Sequence, residues 1–417
     1  MGQRIAIFGA GHSGRSACRL AARLGDAAVC FDEAGAGERR VFGRGDLAEF
    51  DGFVFSPGFA AAHPWRRLAE GSGKCCQSEL AYAAAHWPGE RIGVTGTNGK
   101  TTVTRLLQAA FSAAGRHAVA CGNIGLPMSE AVLDPASGPD SVAVVEISSF
   151  QAELPGRLAL DGLLWTNFAE DHLDRYATMR DYLTAKAKLL TCLKPGAAVV
   201  FGPGIREQLE AAGLAPPQNV VALEPVIPAG LCPEGPLSQL PHRLNFEMVA
   251  SYWQQTRCPG AALLEAAAAF ELSPHRLQRV AEKDGVCFWD DSKATNFEAA
   301  LAAVAALERP IIWIGGGQAK GGDVAGFARA IGGEINAAVL YGEAADVLAA
   351  NLPKALDPVR VRPQFEAAVQ TACQLASTMS GAQVLLSPGF ASFDQFASYA
   401  ERGRSFISIV LGLSRSL

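Results

Sequence analysis

The sequence predicts a mixed α/β protein of three domains, each built on a parallel sheet. Three observations carry that expectation. Short β-rich apolar runs alternate with helical segments along all 417 residues. Two of those runs, ending at Phe8 and Thr95, stop at glycine-rich turns that open directly into helices. The length, 417 residues, also exceeds one ordinary core at about 150 residues per domain.

Composition bounds the function before any motif does. The chain is 49% hydrophobic and 18% charged, enough to bury large cores. A net charge of −5 and a pI near 5.9 exclude a general nucleic-acid binder, which needs a basic face. No apolar run approaches the ~18 residues of a membrane span, and the N-terminus runs straight into a strand pattern. We therefore expect a cytoplasmic protein without membrane insertion. Ten cysteines lie scattered without paired C-x-x-C units and read as buried, reduced thiols.

Residues 1–88 are the expected first, Rossmann-like domain. Arg4–Gly9 reads as a strand, Gly9-Ala10-Gly11-His12-Ser13-Gly14 as a G-x-G-x-x-G turn and Arg15–Leu24 as a helix. Ala28–Phe31 follows as a strand ending in Asp32. In such a fingerprint the glycines let a pyrophosphate approach the backbone at a helix N-terminus. It suits a nicotinamide dinucleotide or any nucleotide diphosphate, and a purely structural turn is a third reading. Ser56-Pro57-Gly58, after the strand Gly52–Phe55, stands at the sheet edge where these folds place ligands.

Residues 89–272, after the linker His86–Glu90, hold the stretch around which the chain is organised. Gly93-Val94-Thr95-Gly96-Thr97-Asn98-Gly99-Lys100-Thr101-Thr102 joins a strand to the helix Val103–Ala114. Gly-Lys-Thr at a helix start makes a phosphate cradle. Backbone N–H groups face the anion, Lys100 adds a point charge for the β- and γ-phosphates, and the Thr101 hydroxyl reaches Mg²⁺. Val94 stands where the G-x-x-x-x-G-K-[ST] spacing puts its first glycine, so a plain tight turn is the bland alternative. We expect a central P-loop ATPase-like parallel-sheet domain. Glu146 closes the strand Val142–Val145, a place for a metal-holding acid or for a capping or salt-bridged carboxylate. Glu170-Asp171-His172-Leu173-Asp174 is either a hard-cation site or a solvated, self-paired cluster. Lys186 and Lys188, on the helical run Asp181–Leu193, read as ordinary surface lysines. Residues 203–241, rich in Pro and Gly, are expected as short strands and loops that form a small sheet appended to the second domain, with paired helices from Asn245 to Phe270.

Residues 273–417 are the expected third, Rossmann-like domain, with strands at Val286–Trp289, Ile311–Ile314, Ala337–Tyr341 and Val384–Leu386. Hydride transfer by a nicotinamide-dependent dehydrogenase would draw on the first domain alone. A Gly-Lys-Thr cradle in the second shifts the reading to ATP chemistry between domains that close and exclude water. A nucleotide-binding regulatory protein without turnover is the non-enzymatic alternative.

Gly96–Thr102, Gly122–Pro127, Glu146-Ile147-Ser148-Ser149-Phe150-Gln151, Glu170–Tyr176, Asp291–Asn296 and Leu386–Phe396 together resemble the Mur ligases, in order and over nearly the whole chain. Folylpolyglutamate synthases share the ATP turn and are not expected to show Glu146–Gln151 or Leu386–Phe396. The resemblance implies an ADP-forming ligase of peptidoglycan precursor synthesis that takes UDP-N-acetylmuramoyl-L-alanine and glutamate. D-Glutamate is the first expectation and L-glutamate the variant. It also implies ATP, two Mg²⁺ ions and an acyl phosphate that the amine attacks.

Position by position, the resemblance implies ATP contacts at Gly96, Thr97, Asn98, Gly99, Lys100, Thr101, Thr102, Asn245, Arg276, Asp291 and Lys293. Thr101, Glu146, His172 and Lys186 match magnesium-linked positions, with Lys186 carbamylated. Asn123 matches a residue beside the muramoyl carboxylate and the γ-phosphate, and it joins Lys100, Glu146, His172 and Lys186 as catalytic. Thr295, Lys320, Ser392, Phe393 and Tyr399 match the glutamate pocket. The UDP group falls to Gly11, His12, Ser13, Gly14, Asp32, Glu33, Ser56, Pro57 and Gly58, with Asn123. Glu33-Ala34 departs from the Thr-Arg pair of better-known members, and Tyr399 from a phenylalanine. We expect a monomer.

Overall fold

The computed structural model describes residues 2–214, 221–223, 225–227, 233 and 235–413. Within them the chain forms two compact units. One comprises Met1–Phe168, Thr178–Ser238 and His242–Phe270, and the other Ala169–Ala177, Gln239–Pro241 and Glu271–Leu417.

The first unit holds two sheets. Strands β1 (Arg4–Phe8), β2 (Ala27–Phe31), β3 (Gly52–Phe55) and β4 (Cys75–Ser78) pair in parallel, in the order β2-β1-β3-β4. Side chains alternate along β1, so Ala6 and Phe8 face one side and Ile5 and Ile7 the other. Phe8 stacks on Phe55 at 4.3 Å within an aromatic cluster that includes Phe31, Phe42, Phe50 and Phe53. Ile5, Ile7 and Val54 instead join a core that continues through Leu80 and Trp87 to Leu163 and Trp165 of the second sheet. Burial on both faces is what a parallel sheet requires, and it explains the nearly unbroken apolar runs.

The second sheet contains β5 (Glu90–Thr95), β6 (Ala118–Gly122), β7 (Val142–Glu146), β8 (Leu160–Trp165), β9 (Leu193–Phe201) and β10 (Val221–Leu223). Its order is β10-β9-β8-β5-β7-β6, parallel throughout. Helices His242–Trp253 and Gly260–Ala268 supply Phe246, Trp253 and Leu263 to the core on one face, as the paired-helix expectation required. The segment expected as loops differs: Ile205–Ala211 is a helix that buries Ile205 and Leu209, and Val221–Leu223 extends the main sheet instead of starting another. Two apolar residues four apart sufficed for that helix, and the Pro-rich composition around it hid the spacing. The remainder of 203–241 lies partly outside the described residues.

The second unit holds β11 (Gln278–Lys283), β12 (Val286–Asp290), β13 (Ile311–Gly316), β14 (Ala337–Tyr341), β15 (Val359–Arg362) and β16 (Gln383–Gly389). The order is β11-β12-β16-β13-β14-β15. Four pairings are parallel, but β11 runs antiparallel to β12, which corrects the expectation of wholly parallel sheets. Asp284-Gly285 is the reason: Gly285 takes φ +76° and turns the chain back within two residues, too few for a crossover helix. No helix among the described residues is long and apolar enough to cross a membrane.

Candidate active site

The glycine turn after β5 is built by its own backbone and by two neighbours that no sequence motif marks. Gly99, the cap of helix Lys100–Ala113, takes φ +80°, and a Cβ there would run into Oδ1 of Asn245. Only glycine fits, and the same proximity places Asn245 against the turn. Asn167 Oδ1 accepts from the N–H groups of Thr97 at 3.1 Å and Asn98 at 2.8 Å. The Thr166 hydroxyl donates to the Asn98 carbonyl at 2.5 Å. Asn167 and Thr166 follow β8, so the adjacent strand fixes the turn. They read only as a polar strand end in the sequence.

Functional side chains gather at the mouth of this turn. Lys100 Nζ donates to the carbonyls of Thr97 at 2.7 Å and Gly96 at 3.0 Å. Thr101 Oγ1 donates to Glu146 Oε2 at 2.8 Å, and Asn123 Nδ2 donates to Glu146 Oε1 at 3.0 Å. The Asn123 N–H also binds the Glu146 carbonyl, so the two loops lock at backbone level. Glu146 is only 3% exposed. Directly after it, Ser148 and Gln151 form a reciprocal capping box that stops β7 and starts the short helix Ser149–Ala152. That cap accounts for the spacing within Glu146–Gln151.

Lys186 corrects the residue-level reading of a surface lysine: it is 1% exposed. Its Nζ donates to the Gly96 carbonyl at 2.7 Å and lies 5.0 Å from the centre of the Tyr182 ring. Helical spacing had not shown which face of Met179–Ala187 turns inward, because Tyr182, Leu183, Ala185, Lys186 and Ala187 are all buried. Lys188, by contrast, is exposed and reaches the Glu153 carbonyl at 2.8 Å.

Of the four magnesium-linked positions, Thr101, Glu146 and Lys186 belong to the first unit and His172 to the second. His172 has φ +57° and its N–H donates to Asp171 Oδ1 at 2.8 Å. Asp171 lies 3.5 Å from Lys320 Nζ and accepts from Asn296 Nδ2 at 3.5 Å. Burial opposes its ionisation, yet Lys320, His172 and these hydrogen bonds hold its carboxyl below the usual range. Glu170, Asp171, Thr295, Asn296 and Lys320 line one pocket with Phe390, which brings two of the five glutamate-pocket candidates together. Ser392 is buried nearby in sequence but does not line that pocket, Phe393 is 66% exposed, and Tyr399 lies 5.2 Å under the Lys293 ammonium.

Asp291, Arg276 and Lys293 share the loop region after β12. Asp291 accepts from the Ser387 hydroxyl at 2.7 Å and the Leu277 N–H at 3.0 Å, and burial pushes its carboxyl up to about 7. His275 binds the neighbouring buried Asp290 at 2.6 Å. The organising residue is one sequence reasoning missed. Arg402, fully buried on helix Tyr399–Leu413, donates to the hydroxyl and carbonyl of Ser292 and to the carbonyls of Phe390 and Ala391. It thereby ties two loops carrying ligand-side motifs. Set between Glu401 and Arg404, Arg402 has no local signal that separates it from its charged neighbours.

In the first sheet, Asp32 accepts from the Ala10 N–H at 2.8 Å and the Ala36 N–H at 3.4 Å. The Ala10 hydrogen bond, first among these, holds its carboxyl below the usual range. Glu33 faces outward and pairs with His63 at 3.5 Å. Ser56 Oγ is buried and meets no hydrogen-bond partner among the described residues. Gly11, His12, Ser13 and Gly14 begin the helix His12–Leu24, with Pro57 and Gly58 in the turn after β3.

Comparison with known proteins follows the same order along the chain. Residues 94–211 match the Mur ligase middle domain, and residues 275–390 the Mur ligase glutamate ligase domain. The chain is 35% identical to the UDP-N-acetylmuramoylalanine–D-glutamate ligase of Gloeobacter violaceus, covering 98% of this chain and 99% of that one. The chain belongs to the Mur ligase family. A ligase of the same name from Nitratidesulfovibrio vulgaris is 33% identical over 97% of this chain and 95% of its own. The family fold is also seen in Thermotoga maritima UDP-N-acetylmuramate–alanine ligase MurC, with a TM-score of 0.58 at 15% identity over 100% of both chains. MurF of the same organism, solved with ADP, gives a TM-score of 0.58 at 15% identity over 87% of this chain and 94% of that one.

Proposed function

We propose that the chain joins D-glutamate to UDP-N-acetylmuramoyl-L-alanine with ATP, releasing ADP and phosphate, in peptidoglycan precursor synthesis. One observation carries the reading. Lys100, Thr101, Asn123 and Glu146 converge on a single glycine turn in a chain similar end to end to ligases of that name. A carboxylate oxygen of the acceptor takes the γ-phosphoryl group, giving an acyl phosphate and ADP. The amine of glutamate then attacks the acyl carbon, and the tetrahedral intermediate expels phosphate and forms the amide. Lys100 and the turn N–H groups offset charge on the transferring phosphoryl oxygens.

The Thr101 hydroxyl and Glu146 carboxylate, 2.8 Å apart, are the hard oxygen donors that Mg²⁺ accepts, and Asn123 braces the carboxylate. Bound there, Mg²⁺ would neutralise phosphate charge. We assign magnesium-linked roles to His172 and to a carbamylated Lys186. Addition of CO₂ to the neutral Lys186 amine forms an N-carboxylate and releases a proton, converting a buried cation into an anion.

Asn245, Arg276, Asp291 and Lys293 are assigned to ATP, Thr295, Lys320, Ser392, Phe393 and Tyr399 to glutamate, and the turn after β1 with Asp32, Glu33 and Ser56–Gly58 to UDP. Residues 1–88, 89–272 and 273–417 then serve as acceptor, ATP and amino-acid domains of a cytoplasmic monomer. The deciding experiment measures phosphate release from ATP with UDP-N-acetylmuramoyl-L-alanine and each glutamate enantiomer. Turnover with the D form is expected; no ATP consumption with either form overturns the proposal. For the carbamate, Lys186→Ala is expected to lose activity and to regain part of it with added short carboxylates. Absence of rescue removes that assignment.

A further inference from the structure

The first sheet carries a pair of thiols that the ligase reaction does not use. Cys18 lies on helix His12–Leu24, three residues after Arg15 and therefore on the same helical face. Cys30 lies on β2, two residues before Asp32. Ala10, Arg15, Cys18, Arg19, Cys30 and Glu38 line one cavity. Cys18 is half-buried and Cys30 is 7% exposed, so the cavity is the route by which a small solute reaches both.

The two thiols stand close enough to titrate as a pair: their interaction holds Cys30 below its usual range and, together with burial, pushes Cys18 up. Arg15 at Cys30 and Arg19 at Cys18 favour a thiolate, against the larger opposing effect of Asp32 and Glu38 at Cys30 and of Glu38 at Cys18. The thiolate is the reactive form of cysteine.

We propose that Cys18 and Cys30 are an oxidation site at which a peroxide closes a disulfide between the helix and β2. The Cys30 thiolate attacks one peroxide oxygen, the O–O bond breaks, and Cys30 becomes a sulfenic acid while hydroxide leaves. Cys18 sulfur then attacks the Cys30 sulfur and expels the sulfenic oxygen as water, its thiol proton going to that oxygen. Overall two thiols lose two electrons, and the peroxide gains them and leaves as two waters.

The linkage reaches the candidate nucleotide cradle through its own two supports. The Arg15 guanidinium donates to the Ala10 carbonyl, and the Ala10 N–H donates to Asp32. A covalent tie between the helix bearing Arg15 and the strand leading to Asp32 therefore resets both ends of that bonded chain. This consequence rests on the proposed UDP assignment; the oxidation site does not.

The experiment treats the reduced full-length chain with hydrogen peroxide, digests it with trypsin without reductant and maps the peptides by mass. Ser16–Arg19 joined to Leu24–Arg39, lighter by two hydrogens and released by dithiothreitol, is expected; it should be absent in Cys18→Ser and retained in Cys75→Ser. Oxidation that stops at sulfinic acid, or that links only Cys75 or Cys76, overturns the site. Calorimetry with UDP reads the consequence: affinity is expected to fall about fivefold on oxidation of the native chain and to stay constant in peroxide-treated Cys18→Ser. Equal affinity before and after linkage overturns the coupling. A reduced chain that forms the linkage yet never binds UDP counts against the substrate assignment and supports the thiol site.

Discussion

The turn after β1 and the turn after β5 both carry glycines from a buried parallel strand into a helix, at His12–Leu24 and Lys100–Ala113. Around the second turn, a lysine, a hydroxyl and a carboxylate stand within hydrogen-bond reach of the backbone or of one another. Around the first, the nearby acid is already engaged by the Ala10 N–H, and the arginine beside it points back to the Ala10 carbonyl. The backbone device is shared, but only the β5 turn is furnished to stabilise charge that develops during a reaction. On the proposed reading, the β1 turn holds a ligand in place. Glycine spacing therefore reports where an anion rests, and the side chains report whether its bonds change.

Substitutions at the two turns should separate these roles. Lys100→Ala is expected to lower kcat on the order of 10²–10³-fold, the cost of removing one charge-stabilising donor, while leaving UDP affinity unchanged in calorimetry. A loss confined to KM would break the comparison. Asp32→Ala should do the reverse. Removing a charged hydrogen-bond acceptor worth about 1.5–3 kcal/mol is expected to raise KM for the UDP substrate roughly tenfold or more, with kcat nearly constant. Next, Gly14→Ala and Gly11→Ala should differ although they share one motif. A Cβ at Gly14 would strike the Gly9 carbonyl, whereas Gly11 faces open space. Loss of UDP affinity and a lower Tm are expected for the first, whereas the second should keep its Tm.

The smallest effect is a control in a region with neither turn. Asp291 has its carboxyl raised to about 7 by burial, against an ordinary value near 4. Between those values the folded chain keeps a proton that the unfolded chain has released. Its contribution to stability is thus fully present below about pH 4 and lost as pH rises through about 7. Asp291→Asn is expected to flatten that part of the Tm profile of the ligand-free chain, and an unchanged slope would remove Asp291 as its source.

Much of the fold was legible because parallel strands buried on both faces leave long apolar runs, as at Val142–Val145 and Ile311–Ile314. β11 was not legible: Gln278, Arg279, Glu282 and Lys283 give an edge strand the polarity of a loop. The β5 turn was legible from local spacing. Its supports were not legible from spacing, since Asn167 and Asn245 are distant in sequence and reach it only through sheet order and a docked helix; the family resemblance alone pointed to Asn245. Spacing left Lys186 on the surface and passed over Arg402 for one physical reason. A buried cation is identified by the carbonyls that receive it, and those carbonyls belong to other segments.

The antiparallel edge strand has a consequence beyond topology. The third sheet ends on one side in Gln278–Lys283 and on the other in Val359–Arg362, both studded with charge. A free strand from another molecule that tried to zip onto either border would bring its own backbone alongside crowded ionic side chains. Concentrated solutions of the protein should accordingly resist growth into stacked, fibre-like ribbons at those borders.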